Sequence, residues 1–217
     1  MQRDIADART ITNNFLSALP KEVSAVALGV LSKAPYKILC AREALIWRLT
    51  ELSRYACDAL ENRDAVAGTT LTRSVFESTS ILWKLCKILE NRHTIESEKF
   101  NDDIDKILLG SRVIEEMPQS INVKTFIEFF GRTFPKASTV YDRLSEVSHP
   151  NWAGTYGLYS TTDREKFATR FGKKSEAAEA EVASSASILY ATLRIAEYAY
   201  NKISDDIPVY LGELEKI

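Results

Sequence analysis

The chain has 217 residues, 45% of them hydrophobic and 27% charged, and a formal net charge of −2. That length suits one large domain with its own core, or at most two small ones. The near-zero charge supplies no global field to draw in nucleic acid, so any such binding needs a local basic patch.

Eight glycines and six prolines are few for this length and favour long helices over a turn-rich sheet protein. No apolar run reaches the length of a membrane span. The opening MQRDIADART lacks the apolar core of a secretion signal. Cys40, Cys57 and Cys86 are an odd set without short spacing, which reads as reduced core residues of a cytoplasmic protein.

Residues 1–20 are mixed and polar and read as a short helix or arm ending at Pro20. KEVSAVALGVLSK (21–33) has helical spacing, broken by Pro35. A first long helix is predicted over 36–63, where Ile38, Ala41, Leu45, Leu49, Leu52, Ala56 and Leu60 step at three- and four-residue intervals. A break at 62–64 leads to a second long helix over 64–91. Its apolar face carries Leu71, Val75, Phe76, Leu82, Trp83, Leu85 and Cys86; Thr70, Arg73, Glu77, Ser80, Lys84 and Lys87 gather opposite. Two long helices with so short a joint should pair antiparallel.

Shorter helices are predicted over 97–117, with Gly110 an interruption, over 122–134, and over 136–148 with Ser138 as a candidate N-cap. HPNWAGTYGLYSTTD (149–163) reads as a loop with a short extended piece at 155–160. An alanine-rich run gives a last long helix over 173–203 that should dock mainly through its second half, and 204–217 reads as a tail. Without repeats, low-complexity blocks or linkers, the expectation is a single all-α domain with an N-terminal arm (1–20), a bundle core (36–203) and a C-terminal tail (204–217).

The chain has two histidines. His149 follows the helix YDRLSEVS and precedes Pro150, and the residue before a proline is pushed out of the α region. Its imidazole is therefore aimed by a turn rather than by helical phase. Arg143 lies six residues earlier, about 120° away around a regular helix, and only the break at Pro150 would let the two converge. Tyr141, Ser145 and His149 are each four apart and would form a hydrogen-bonding stripe. Arginine holds phosphate oxygens with always-charged donors, and histidine exchanges protons near neutrality. The pair could cleave RNA without a metal; it could equally be the polar end of a structural helix.

RLSEVSH (143–149) fits the R-x(4–6)-H motif of the HEPN superfamily, the higher eukaryotes and prokaryotes nucleotide-binding domains. The chain also resembles a bacterial group placed near HEPN. In that group an arginine and a glutamate four apart, matched by Arg73 and Glu77, precede a Tyr-x-x-Leu-Ser-x-x-x-His-Pro stretch, matched by Tyr141, Leu144, Ser145, His149 and Pro150. The resemblance spans roughly 36–203 in helix order. It implies a helical bundle, a homodimer with the motif near its cleft, and metal-independent endoribonuclease activity in toxin–antitoxin or anti-phage systems. An antitoxin or other defence-system protein would then be a partner. Other relatives bind nucleotides or have lost activity. The residue after the arginine, often polar in active HEPN nucleases, is Leu144 here.

Under this reading His149 is the acid/base, Arg143 the phosphate binder, and Arg73 with Glu77 the supporting pair. Tyr141 and Ser145 would contact substrate. Trp152, Tyr156 and Tyr159 would stack on unpaired bases, and Arg164, Lys166, Arg170, Lys173 and Lys174 would track phosphates. The plainer alternatives are a solvated ion pair at Arg73–Glu77 and aromatics closing over the core. No cofactor is expected. A zinc site would need three or four clustered ligands, and Cys86 and His93 are the only near pair; His93 reads as an exposed residue at a helix junction. The competing function classes are a non-catalytic helical interaction or nucleotide-binding module and a small-molecule sensor with its ligand between helices.

Overall fold

The structure is a computed structural model that describes residues 1–29, 31–172 and 175–216. The elements run α1 (Gln2–Ala18), α2 (Ala34–Glu61), α3 (Ala65–Glu90), α4 (Ser97–Leu109), α5 (Val123–Gly131), α6 (Ala137–Ser148), α7 (Tyr156–Tyr159), β1 (Ser160–Asp163), β2 (Ala168–Phe171) and α8 (Glu176–Leu214). Short 3-10 turns lie at Val26–Leu28 and Arg92–Thr94. Among the described residues the fold is all-α apart from the small β1–β2 hairpin and one isolated bridge, Ser111 to Gln119.

The predicted apolar stripes build the centre. α2 buries Ile38, Ala41, Leu49, Ala56 and Leu60, together with Ile46. A tight turn at 62–64 reverses the chain into α3. Gly68 lets the two helices close here, because a Cβ there would stand 2.5 Å from Leu60 Cδ2 and displace that side chain. α3 is covered on nearly every side, with Val75, Leu82, Leu85, Cys86, Ile88 and Leu89 fully buried, as expected of a central helix. Its predicted polar face is not a solvent face: α5 and α6 lie over it. Ser80 is buried and donates to the Phe76 carbonyl, and Lys84 and Lys87 lay their ammonium groups over Phe129 and Trp83.

α8 runs parallel to α3, as Thr69 meets Ser185 at one end and Trp83 meets Tyr198 at the other. It is longer than predicted and buried from its start, with Ala178, Val182 and Ala186 as deep as Leu193 and Ala199. Ser175 caps it by accepting from the Ala178 N–H. The supposed tail is helical through Pro208 to Leu214. Proline removes one backbone bond, but Ile207 is buried on the same turn and Tyr210 packs on Phe100 at 6.0 Å, so tertiary contact carries the helix past it.

Of the helix or arm expected over the first twenty residues, the helix forms, and it packs on the bundle. α1 buries Ile5, Ala8, Ile11 and Phe15, lying alongside α8 (Ser187 Oγ to Asp4 at 2.7 Å) and against α2 (Arg9 to Asp58 at 2.7 Å). The helix expected over 21–33 is only the turn Val26–Leu28, followed by Gly29 at φ +68°; Val26 and Leu31 are exposed. A short amphipathic segment with no surface to bury against does not hold a helix. Residues 111–117 also leave the helix predicted for them, since α4 stops at Gly110 and a loop follows.

Candidate functional site at the end of helix α6

α6 packs antiparallel to α3 and begins at Ala137, with Lys136 at the N-cap, so Ser138 lies inside the helix rather than capping it. Tyr141, Leu144 and Val147 are buried on its inner face. Leu144 is fully buried. Its apolar character is therefore set by the core: the position after Arg143 points into the bundle rather than at the site.

Tyr141 joins α6 to the Arg73–Glu77 pair. Arg73 Nε donates to Glu77 Oε1 at 3.1 Å, Arg73 Nη2 donates to the Tyr141 hydroxyl at 3.0 Å, and that hydroxyl donates to Glu77 Oε1 at 3.1 Å. The guanidinium also lies 5.1 Å from the centroid of the Tyr141 ring. This closed triangle is a half-buried polar bolt between α3 and α6. Among the described residues it makes no hydrogen bond or ion pair with His149 or Arg143.

Arg143 turns the other way. Its Nη2 donates to Glu181 Oε2 on α8 at 3.1 Å, while its side chain remains 51% exposed. Glu181 is buried. Its Oε1 accepts from Thr69 Oγ1 and Ser185 Oγ, both at 3.1 Å, and those hydroxyls are 2.8 Å apart. Three helices thus meet on one carboxylate, the arrangement a buried charge requires. The sequence reading missed Glu181, Thr69 and Ser185. A signal was there: Glu181 and Ser185 fall on the same helical stripe as Ala178, Val182 and Leu189, and a polar pair on an apolar stripe needs a buried partner.

α6 ends where Pro150 dictates. His149 adopts extended backbone angles (φ −86°, ψ 148°), its N–H still reaching the Ser145 carbonyl at 3.1 Å. The imidazole is exposed and has no hydrogen-bond partner among the described residues. The stripe Tyr141–Ser145–His149 does not connect. Tyr141 is taken up by α3, the Ser145 hydroxyl is buried with no partner among the described residues, and Glu146 accepts from Asn151 Nδ2 at 2.7 Å rather than from the histidine.

Beyond His149 the chain folds tightly back. Gly154 fits there because a Cβ would come within 2.2 Å of the His149 carbonyl and 2.4 Å of that of Val147. Asn151 Oδ1 accepts the Gly154 N–H at 3.1 Å, and the Trp152 carbonyl accepts the Gly157 N–H at 2.8 Å. This corner holds Trp152 exposed, with Tyr156 and Tyr159 on α7; Tyr159 is half-buried against the core.

The segment predicted to be loop and a short extended piece is α7 followed by the β1–β2 hairpin, paired Ser160↔Phe171 to Asp163↔Ala168. The Tyr156 hydroxyl bonds Thr162 Oγ1 at 2.5 Å and lies 3.4 Å from Thr169 Oγ1, which lowers its pKa. Arg164, Lys166 and Arg170 are all exposed on the hairpin. Lys173 and Lys174 lie outside the described residues.

The corner therefore brings an exposed imidazole, exposed aromatics and hairpin cations onto one continuous stretch, with Arg143 on the same helix held by α8. Arg73 and Glu77 are tied to Tyr141 instead. Among the described residues no group of histidines, cysteines and carboxylates could hold a metal ion. His93 is exposed in the turn between α3 and α4, its Nε2 3.3 Å from Glu213. Among the described residues no helix is long and apolar enough to cross a membrane. Comparison with protein-family models, with curated proteins and with solved structures finds no match.

Proposed function

We propose that the corner at the end of α6 acts on RNA as a metal-independent, HEPN-like endoribonuclease site. The observation that carries this reading is the exposed, unengaged imidazole of His149 at the proline-terminated end of α6. His149 takes the proton of a ribose 2′-hydroxyl. The 2′-oxygen attacks the adjacent phosphorus, a 2′,3′-cyclic phosphate forms, and the P–O5′ bond breaks as the 5′-oxygen takes a proton from water. Arg143 offers its solvent-facing donors to the phosphoryl oxygens as charge builds on them. Its bond to Glu181 fixes the guanidinium's position.

Arg73, Glu77 and Tyr141 set the position of α6 in this reading and touch no substrate. Trp152 and Tyr156 offer base-stacking surfaces, and Arg164, Lys166 and Arg170 contact phosphates. The protein would work in the bacterial cytoplasm as a homodimer, in a defence or toxin–antitoxin setting with a cognate partner protein.

The test is cleavage of single-stranded RNA in EDTA. Wild type is expected to yield cyclic-phosphate ends, and His149→Ala to lose at least about a hundredfold in rate while remaining folded by circular dichroism. No cleavage by wild type across varied RNAs, or equal cleavage by His149→Ala, overturns the proposal. The ion pair of Arg143 with buried Glu181 favours a second reading, in which the motif only ties α6 to α8 and the bundle is an interaction module. That reading expects no cleavage, and loss of stability on Arg143→Ala.

A further inference from the structure

We infer that the β1–β2 hairpin is a nucleic-acid recognition element whose tip residue, Phe167, stacks on or between bases of single-stranded RNA. The inference takes from the preceding section only the reading of this corner as an RNA site. It assigns a contact residue that the motif does not contain.

The hairpin is short but firmly built. Asp163 Oδ1 accepts the N–H groups of Glu165 and Lys166, both at 3.1 Å, which shapes the four-residue loop. Thr162 and Thr169 bond each other across the strands at 3.1 Å. The Phe171 ring stands edge-on to Tyr156 at 6.5 Å, and the Gly172 N–H reaches the Tyr159 carbonyl at 2.8 Å. The hairpin is thereby fastened to the segment that follows His149.

At its tip, Phe167 has φ +47° and is 97% exposed. That left-handed position in a hairpin loop ordinarily carries glycine or asparagine, which adopt it without the crowding a bulky side chain meets. Phe167 occupies it with a ring that packs in no core cluster. A bulky ring held in a left-handed backbone and packed into no core cluster points to a use outside the chain.

The neighbours define the partner. Arg164 and Lys166 share the exposed loop with Phe167, Lys166 with its Nζ 3.8 Å from Asp163, and Arg170 stands on β2 opposite Thr161. A partner must offer flat rings and negative charge together, as nucleobases and phosphates do. An anionic membrane also attracts aromatic and basic residues. Burying Phe167 in one, however, would carry the carboxylates of Asp163 and Glu165 toward the hydrocarbon, whereas stacking uses only the ring's faces.

The experiment follows binding of a short single-stranded RNA containing 2-aminopurine, 2′-O-methylated throughout so that it cannot be cleaved, with the full chain. Three chains are compared: wild type, Phe167→Gly, which keeps the left-handed backbone and hence the hairpin, and Phe167→Trp, which keeps a stacking ring. Wild type and Phe167→Trp are expected to quench the fluorophore, and Phe167→Gly to bind about ten- to a hundredfold more weakly with the quench lost. Equal binding and quenching by Phe167→Gly overturns the inference. So does Phe167-dependent binding to phosphatidylserine vesicles in place of RNA. Quenching that persists in a chain that never cleaves RNA overturns the endoribonuclease reading alone and leaves the hairpin's role standing.

Discussion

The polar seam among α3, α6 and α8 and the corner beyond α6 draw on one stretch of sequence, 141–149, yet they are built in opposite ways. In the seam every charged group has a partner: Tyr141 closes on Arg73 and Glu77, and Arg143 on a carboxylate that Thr69 and Ser185 also serve. In the corner, four residues beyond Ser145, His149 stands in solvent, and at the hairpin tip Phe167 does too. A polar group inside a bundle must be satisfied or it destabilises the fold. A group left unsatisfied outside costs the fold little and is free to meet something else. The contrast separates residues that hold the helix in place from residues the helix presents.

Substitutions can break this contrast, and their effects should fall in order. Leu144→Asn puts an amide at a fully buried core position of α6 and should cost about 3 kcal/mol or more, read as a lowered urea midpoint. If the variant is as stable as wild type, the residue after Arg143 belongs to the corner rather than the core.

Glu181→Ala removes the carboxylate on which three donors converge, for an expected loss of about 2–3 kcal/mol. Glu181→Gln, which keeps an acceptor, should lose less, and the difference between the two is the informative quantity. Tyr141→Phe deletes only the hydroxyl that links Arg73 and Glu77 to α6. About 1 kcal/mol is expected, with RNA cleavage kept. A collapse of cleavage at unchanged stability would move Tyr141 out of the seam and into the site. Smallest of all, His149→Ala should shift stability by less than about 0.5 kcal/mol, as for other exposed positions free of packing; a larger shift in thermal unfolding would assign the imidazole a structural bond.

Much of the architecture was readable in the periodicity. The stripe from Ile38 to Leu60 and the break at 62–64 place α2 and α3, and the alanine-rich run places α8. What escaped was decided by partners distant in the chain. The helical spacing of 21–33 comes to nothing because Val26 and Leu31 find no surface to cover. Pro208 looks like a stop, but Ile207 and Tyr210 dock on either side of it. In the site, Arg73 and Glu77 could be paired from their spacing, and the displacement of His149 from the helix follows from Pro150 alone. The direction of Arg143 could not be read from the motif, because its partner Glu181 lies 38 residues further on. Phe167 drew no notice because a lone exposed aromatic is ordinary until its backbone is seen to be strained.

The central position of α3 has a consequence for how the protein is made. Its largest neighbours are α2, available at once, and α8, which is not translated until residue 176 is reached. Until then Thr69 and Trp83, which meet Ser185 and Tyr198 on it, have no lid on that side, and α1 waits for the same partner. A nascent chain on the ribosome would thus carry an open apolar trough through most of its synthesis. It would close only when the 39-residue final helix emerges and zips along both, so truncations within 176–214 should leave aggregates rather than a smaller folded protein.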